Sequence, residues 1–188
     1  MNKKIKDIAT ITAGIYVKPV LQGEVYLIQA MDYDQDFVLR DDLHPTILHT
    51  KTIAKNTLEI GDILVRARGN HFLAILYSGE VAPAVASSTF LILRNIDTRL
   101  LLPQYVVWFI NHPKNQYYLQ SHALGSSIAA ISKKVLGDMP IVIPPLQKQQ
   151  IFVQVTSLLQ QERIVQTEIN NLRELIVNQQ LLNLLNND

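Results

Sequence analysis

The spacing of apolar positions divides the chain into two unlike parts. Up to about residue 143, short apolar runs alternate with polar breaks. Val25 to Ala30 is a β-rich run, and Phe90 to Arg94 reads as another strand. Ile63 to Arg68 and Phe72 to Tyr77 are two more, and Gly69-Asn70 between them predicts a hairpin or tight bend. Ile141 to Ile143 lies between Pro140 and Pro144, which predicts a place at a sheet edge or end. Helix signals are interleaved. Pro103 suits the first position of a helix running through Trp108 and Ile110. Pro113 restarts a helix, with Asn111 or His112 as its cap, and Gly125 stops it. Ser132 caps one more short turn, Lys133 to Leu136, ended by Gly137.

After Pro144-Pro145 the pattern changes. Leu146 to Asp188 holds no Gly and no Pro. Apolar residues recur at Ile151, Val155, Leu158, Val165, Ile169, Leu172 and Ile176, in steps of three, four or seven, the spacing of a helical seam. A helix of about 40 residues would be about 60 Å long at 1.5 Å per residue, more than a domain of this size can cover. The seam therefore predicts packing on something else, most simply a second copy of the same helix. Glu162 and Gln179 interrupt it, which favours a short antiparallel pairing over a long parallel zipper. The expected class is α+β. A mixed α/β domain over residues 1–145 would be followed by one long helix over 146–188 that pairs as an antiparallel coiled coil.

Composition narrows the function. The 188-residue chain is 48% hydrophobic, enough to build a core. It has no cysteine, which excludes disulfides, thiolate zinc sites and a cysteine nucleophile, and suits a cytoplasmic protein. Asp7, Thr10 and Thr12 interrupt the stretch after the basic start, so it does not read as a signal peptide. No run approaches the roughly 20 apolar residues of a membrane span. Net charge is only +1, which argues for weak unaided nucleic-acid binding or for a partner that supplies positive surface. The charge is unevenly spread. Arg99, Lys114, Lys133, Lys134 and Lys148 face one acid, Asp138, in their stretch, whereas Asp32, Asp34, Asp36, Asp41 and Asp42 surround Arg40 alone.

Catalytic signatures are missing. The chain contains no glycine-rich phosphate loop, no nucleophile elbow and no Asn/Asp-Pro-Pro-aromatic motif of an amino-methyltransferase. His44, His49, His71, His112 and His122 include no i, i+4 pair, so neither a metal site nor a catalytic residue is assigned. The aspartates fail the EF-hand pattern at its glycine and closing glutamate and read as a solvated acidic loop.

Candidate DNA contacts are clearer. Arg66 and Arg68 would share one strand face, with Asn70 and His71 at the turn after it. Arginine and asparagine are the side chains best shaped to read guanine and adenine edges, although two solvated arginines would look the same. Gly125-Ser126-Ser127 is a second candidate, followed by Ser132-Lys133-Lys134. Lysines in a first helical turn oppose the helix dipole, which makes sense where a phosphate docks or where exposed lysines are merely tolerated. Ser87 and Ser88 would touch phosphate or, more simply, form a turn before a strand. Tyr105, Trp108, Tyr117 and Tyr118 are of the type that stacks on bases, but their helical spacing favours core packing.

Taken in order, these pieces form a pattern. Lys4-Ile5-Lys6-Asp7-Ile8 and Gly14 are followed by Gly61-Asp62-Ile63-Leu64, the Phe90–Arg94 run and Pro103-Gln104-Tyr105-Val106. Gly125-Ser126 precedes Ile131, Leu136 and Met139-Pro140-Ile141, and Pro144-Pro145-Leu146 with Gln149 and Ile151 leads into the long helix. The chain resembles the target-recognition unit of type I restriction–modification specificity subunits, from end to end. The resemblance implies a non-catalytic subunit whose mixed α/β domain grips one half of a bipartite double-stranded DNA site. It implies a spacer helix that docks methyltransferase subunits, which would bind S-adenosylmethionine and methylate adenine; a restriction subunit can join them. Ordinary members carry two recognition domains and two spacer helices, whereas this chain shows one of each. A homodimer joined helix to helix would restore the pair and read an inverted repeat. Lys148 is a smaller departure, standing where an acidic or small residue is common. The rival reading is a coiled-coil adaptor with a protein-binding head, favoured by the near-neutral charge.

Overall fold

The computed structural model describes residues 2–34, 37–125 and 128–185. In chain order its elements are β1 (Asn2–Lys4), β2 (Thr10–Ala13), β3 (Tyr26–Ile28), α1 (Lys51–Ala54), β4 (Ile63–Arg66), β5 (Ala74–Leu76), β6 (Ala84–Ala86) and β7 (Phe90–Arg94). Then come α2 (Pro103–Asn111), α3 (Pro113–Ser121), α4 (Lys133–Asp138), β8 (Pro140–Val142) and α5 (Leu146–Leu185), with 3-10 turns at Ile5–Asp7 and Ala30–Asp32. Mixed sheets followed by a long C-terminal helix make the chain α+β.

The chain divides into two compact units, Met1–Phe152 and Val153–Asp188. The first unit runs past Pro144-Pro145 into α5 because the start of that helix is tied to the head. Gln149 is fully buried; it accepts from the Leu102 amide (2.9 Å) and donates to the Leu100 and Pro144 carbonyls (2.9 and 2.8 Å). Phe152 lies against Trp108, ring centroids 4.4 Å apart.

A four-stranded antiparallel sheet, β2-β7-β4-β5, organises the first unit. Ile63, Leu64 and Val65 are all completely buried, so β4 is covered on both faces and reads as a continuous apolar run, not an alternating one. Leu64, Ile75, Phe90 and Ile92 join Ile28, Leu58 and Tyr77 in one core cluster. A parallel pair, β3 and β6, adds a smaller cluster of Val25, Ile47, Ile53 and Val85. β8 pairs antiparallel with β1, Lys4 opposite Pro140, so the proline-bracketed strand ends in a two-stranded sheet.

Several expectations need correction. β4 and β5 do pair, Val65 opposite Ala74, but the connection is Ala67 to Leu73, not a tight Gly69-Asn70 turn. Beyond Arg66 the chain leaves β5 and bonds elsewhere: the Ala67 amide donates to the Thr89 carbonyl at 2.7 Å. Helix α3 ends at Ser121, capped by His122, before Gly125 is reached. Gly137 lies inside α4 and packs closely, since a Cβ there would sit 3.3 Å from the Ile11 Cδ1 atom. Asp32 is not solvated; it is buried and accepts from the Gln29 amide at 2.7 Å, while Asp36 lies outside the described residues. Tyr105 is buried as expected of a core aromatic, but Tyr117 is 73% exposed.

Candidate nucleic-acid interface

The site rests on a brace at the start of β4. Gly61, at φ +97°, makes the turn that leads into Asp62. Asp62 is 2% exposed, accepts from the Glu59 amide (2.9 Å) and receives the Arg94 Nε from the end of β7 (2.8 Å). The Arg94 guanidinium also donates to the Thr57 carbonyl (2.8 Å), and the carboxylate beside it raises its pKa further. Two motifs 32 residues apart in sequence are thus one ion pair in space.

A second device holds the segment after β4. The side-chain amides of Asn111, Gln116 and Gln120 lie along the β5 edge and the loop before it. Asn111 exchanges two hydrogen bonds with the Ala74 backbone (2.7 and 2.9 Å). Gln116, buried, does the same with Phe72 (3.0 and 3.1 Å) and also donates to the Ile110 carbonyl. Gln120 donates to the Asn70 carbonyl at 3.0 Å. These amides occupy backbone groups that an edge strand would otherwise present unpaired. No sequence signal marked them, because a glutamine on a helix looks alike whether it faces water or a strand.

The Arg68 segment and residues 129–131, far apart in sequence, are joined by backbone bonds. Arg68 bridges to Ala130: the Gly69 amide donates to the Ala129 carbonyl (3.0 Å) and the Ile131 amide to the Ala67 carbonyl (2.9 Å). Ala130 is bridged on its other side by Leu124, through bonds of 2.9 and 2.8 Å. Gly125, next to this bridge, has φ +117°, and an added Cβ there would fall 2.4 Å from the Ile128 carbonyl oxygen. Ser126 and Ser127 lie outside the described residues.

Arg68, Asn70, His71, Ser88, Gly125, Lys133 and Lys134 are exposed. Two expected members are not available. Arg66 is half-buried and its guanidinium donates to the Ala30 carbonyl at 2.7 Å, so it braces β4 against the 3-10 turn. Ser87 is 8% exposed and its hydroxyl shares a 2.7 Å bond with Thr89, so it shapes the turn into β7.

Ser132 caps α4 by accepting from the Val135 amide at 3.2 Å. Lys133 and Lys134 then line a cleft of about 470 Å³ with Lys6, Thr10, Ile11 and Asp138. Asp138 accepts from Lys4 Nζ (3.0 Å) and Lys6 Nζ (2.8 Å), and these ammonium groups hold its pKa down to about 2. α4 spans six residues, so the cationic character of this cleft comes from its side chains more than from a helix dipole. Among the described residues, no three His, Asp or Glu side chains converge as metal ligands, and no helix is long and apolar enough to cross a membrane.

The second unit is the remainder of α5. All seven seam residues, six of them here and Ile151 at the end of the first unit, are exposed, from 38% at Ile169 to 65% at Leu158. Leu175, Val177, Leu181 and Leu182, off the seam, are exposed as well, so the distal helix is apolar on more than one side.

A family model described as the type I restriction modification DNA specificity domain matches residues 1–174. No curated protein sequence matches. Among solved structures, the HsdS subunit from Thermoanaerobacter tengcongensis shares the fold at TM-score 0.64 and 14% identity, over 88% of this chain and 43% of that one. The S subunit of a type I restriction-modification system from M. genitalium does so at TM-score 0.60 and 14% identity, over 84% and 38%. A chain from a structure concerned with complex assembly and conformational transition of the type I R-M system aligns at TM-score 0.57 and 17% identity, over 86% and 38%. This chain therefore spans 38% to 43% of the length of those solved chains. With nearly its whole length inside one family model, the chain belongs to the family of type I restriction modification DNA specificity domains.

Proposed function

We propose that this chain is the DNA sequence-recognition subunit of a type I restriction–modification methyltransferase, and that it works as a dimer of half-subunits. The family match over residues 1–174 carries the reading. The head binds one half of a bipartite site: Lys133 and Lys134 neutralise phosphates and set register, while Arg68, Asn70 and residues of the glycine–serine stretch test base edges. Two α5 helices associate along the exposed seam as an antiparallel coiled coil, and the pair of heads reads an inverted repeat across an unread gap. The off-seam leucines supply apolar surface for the adenine methyltransferase subunits, which bring S-adenosylmethionine; a restriction subunit joins the same assembly. This chain performs no chemistry, and the complex acts in the cytoplasm.

The test is methylome sequencing of cells that express the chain with a methyltransferase subunit of the same system. The expected result is a bipartite, palindromic methyl-adenine motif that disappears when this chain is deleted. A motif that survives the deletion, or one without twofold symmetry, overturns the dimer reading.

A further inference from the structure

An exposed leucine on a soluble protein is ordinary. Leu124 is singled out by how it is held and by what stands beside it. It is 74% exposed, yet its backbone is fixed by two hydrogen bonds to Ala130 and by the Gly125 turn that follows. Residues directly opposite in antiparallel pairing point to the same face. Leu124 and Arg68 both lie opposite Ala130, one on each side, so all three side chains belong to one face. Leu124 and Ala130 exchange both backbone bonds, the pair type with Cα atoms about 5.5 Å apart; Arg68 and Ala130 form the other type, at about 4.5 Å. Arg68 and Leu124 therefore stand about 10 Å apart, with half-buried Ala130 between them. Along duplex DNA, at about 3.4 Å per step, that span is about three base pairs.

A leucine has no hydrogen-bonding group to offer a base edge. The apolar feature that a major groove presents is the thymine C5-methyl. Building on the DNA-recognition reading above, we infer that Leu124 is a specificity-determining residue that packs on the methyl of a thymine about three base pairs from the base read by Arg68.

The experiment uses the whole chain assembled with its methyltransferase subunits and a duplex site selected by that complex from random DNA. Each thymine is replaced in turn by deoxyuridine, which lacks only the methyl group. One replacement should cost the parent about fourfold in affinity, the worth of one buried methyl. Leu124→Ala should bind the two duplexes alike, while Leu124→Met, still apolar, should keep the preference. Arg68→Ala supplies the ruler: the base pair it ceases to discriminate should lie two to four steps from the sensitive thymine. The inference is overturned if no thymine in that window responds, or if Leu124→Ala keeps the full response. Selection of no sequence at all would instead overturn the DNA-recognition reading beneath it, so the two failures are separable.

Discussion

At the residue scale, the charged side chains divide into those the fold consumes and those it leaves facing out. Arg66 and Arg94 are consumed, one on the Ala30 carbonyl and one on Asp62, whereas Arg68 two residues along the chain is exposed. A period of two groups Arg66 with Arg68 but says nothing about which of them a neighbouring carbonyl will capture. Asp138 is also consumed, and it leaves a measurable trace. Its carboxyl, held at about 2 by Lys6 and Lys4, lies well below the ordinary 3.8. A carboxylate depressed in the folded state stabilises that state above its ordinary pKa, and the contribution fades as pH falls toward the folded value. Asp138→Asn should therefore lower the urea midpoint at neutral pH, and the gap from the parent should narrow between about pH 4 and pH 2. A gap that stays constant over that range would show that the lysines do not stabilise the carboxylate.

At the scale of elements, most of what the hydrophobic pattern predicts is present. The strands at Ile63, Phe72 and Phe90, both proline-initiated helices and the uninterrupted C-terminal helix all appear near their expected places. Local signals suffice there, because proline at a helix start and β-branched runs act within a few residues. What the sequence hides is lateral. Nothing in Ala67-Arg68-Gly69 announces that its backbone will pair with 129–131 instead of continuing along β5, and that single switch builds the candidate interface. The Gln116 amide, which satisfies both backbone groups of Phe72, is equally silent in sequence. Its removal tests the arrangement. Gln116→Leu should cost about 1–3 kcal/mol by leaving buried backbone groups unpaired. Hydrogen exchange should then quicken at Phe72 ahead of the β4 amides. Unchanged protection at Phe72 would mean that the glutamine does not hold the β5 arm.

For the whole molecule, the question is what completes the apolar helix. A single α5 with Ile151, Val155, Leu158, Val165, Ile169, Leu172 and Ile176 exposed gains most by burying that row against another chain, and full burial of each aliphatic side chain is worth about 1.5–3 kcal/mol. A second copy is the simplest occupant, and it carries a consequence for DNA. Two heads linked in this way would convert the second half-site into an intramolecular encounter, raising affinity by about 10²–10⁴-fold without any new contact to a base. Replacing Ile169 and Leu172 together by aspartate breaks the row at exposed positions outside the first compact unit. The variant should sediment as a monomer and bind an inverted-repeat duplex no more tightly than a single half-site, while its half-site affinity equals that of the parent. A parent that is already monomeric at high concentration, or a monomeric variant that keeps the two-site advantage, would exclude the helix as the element that joins the heads.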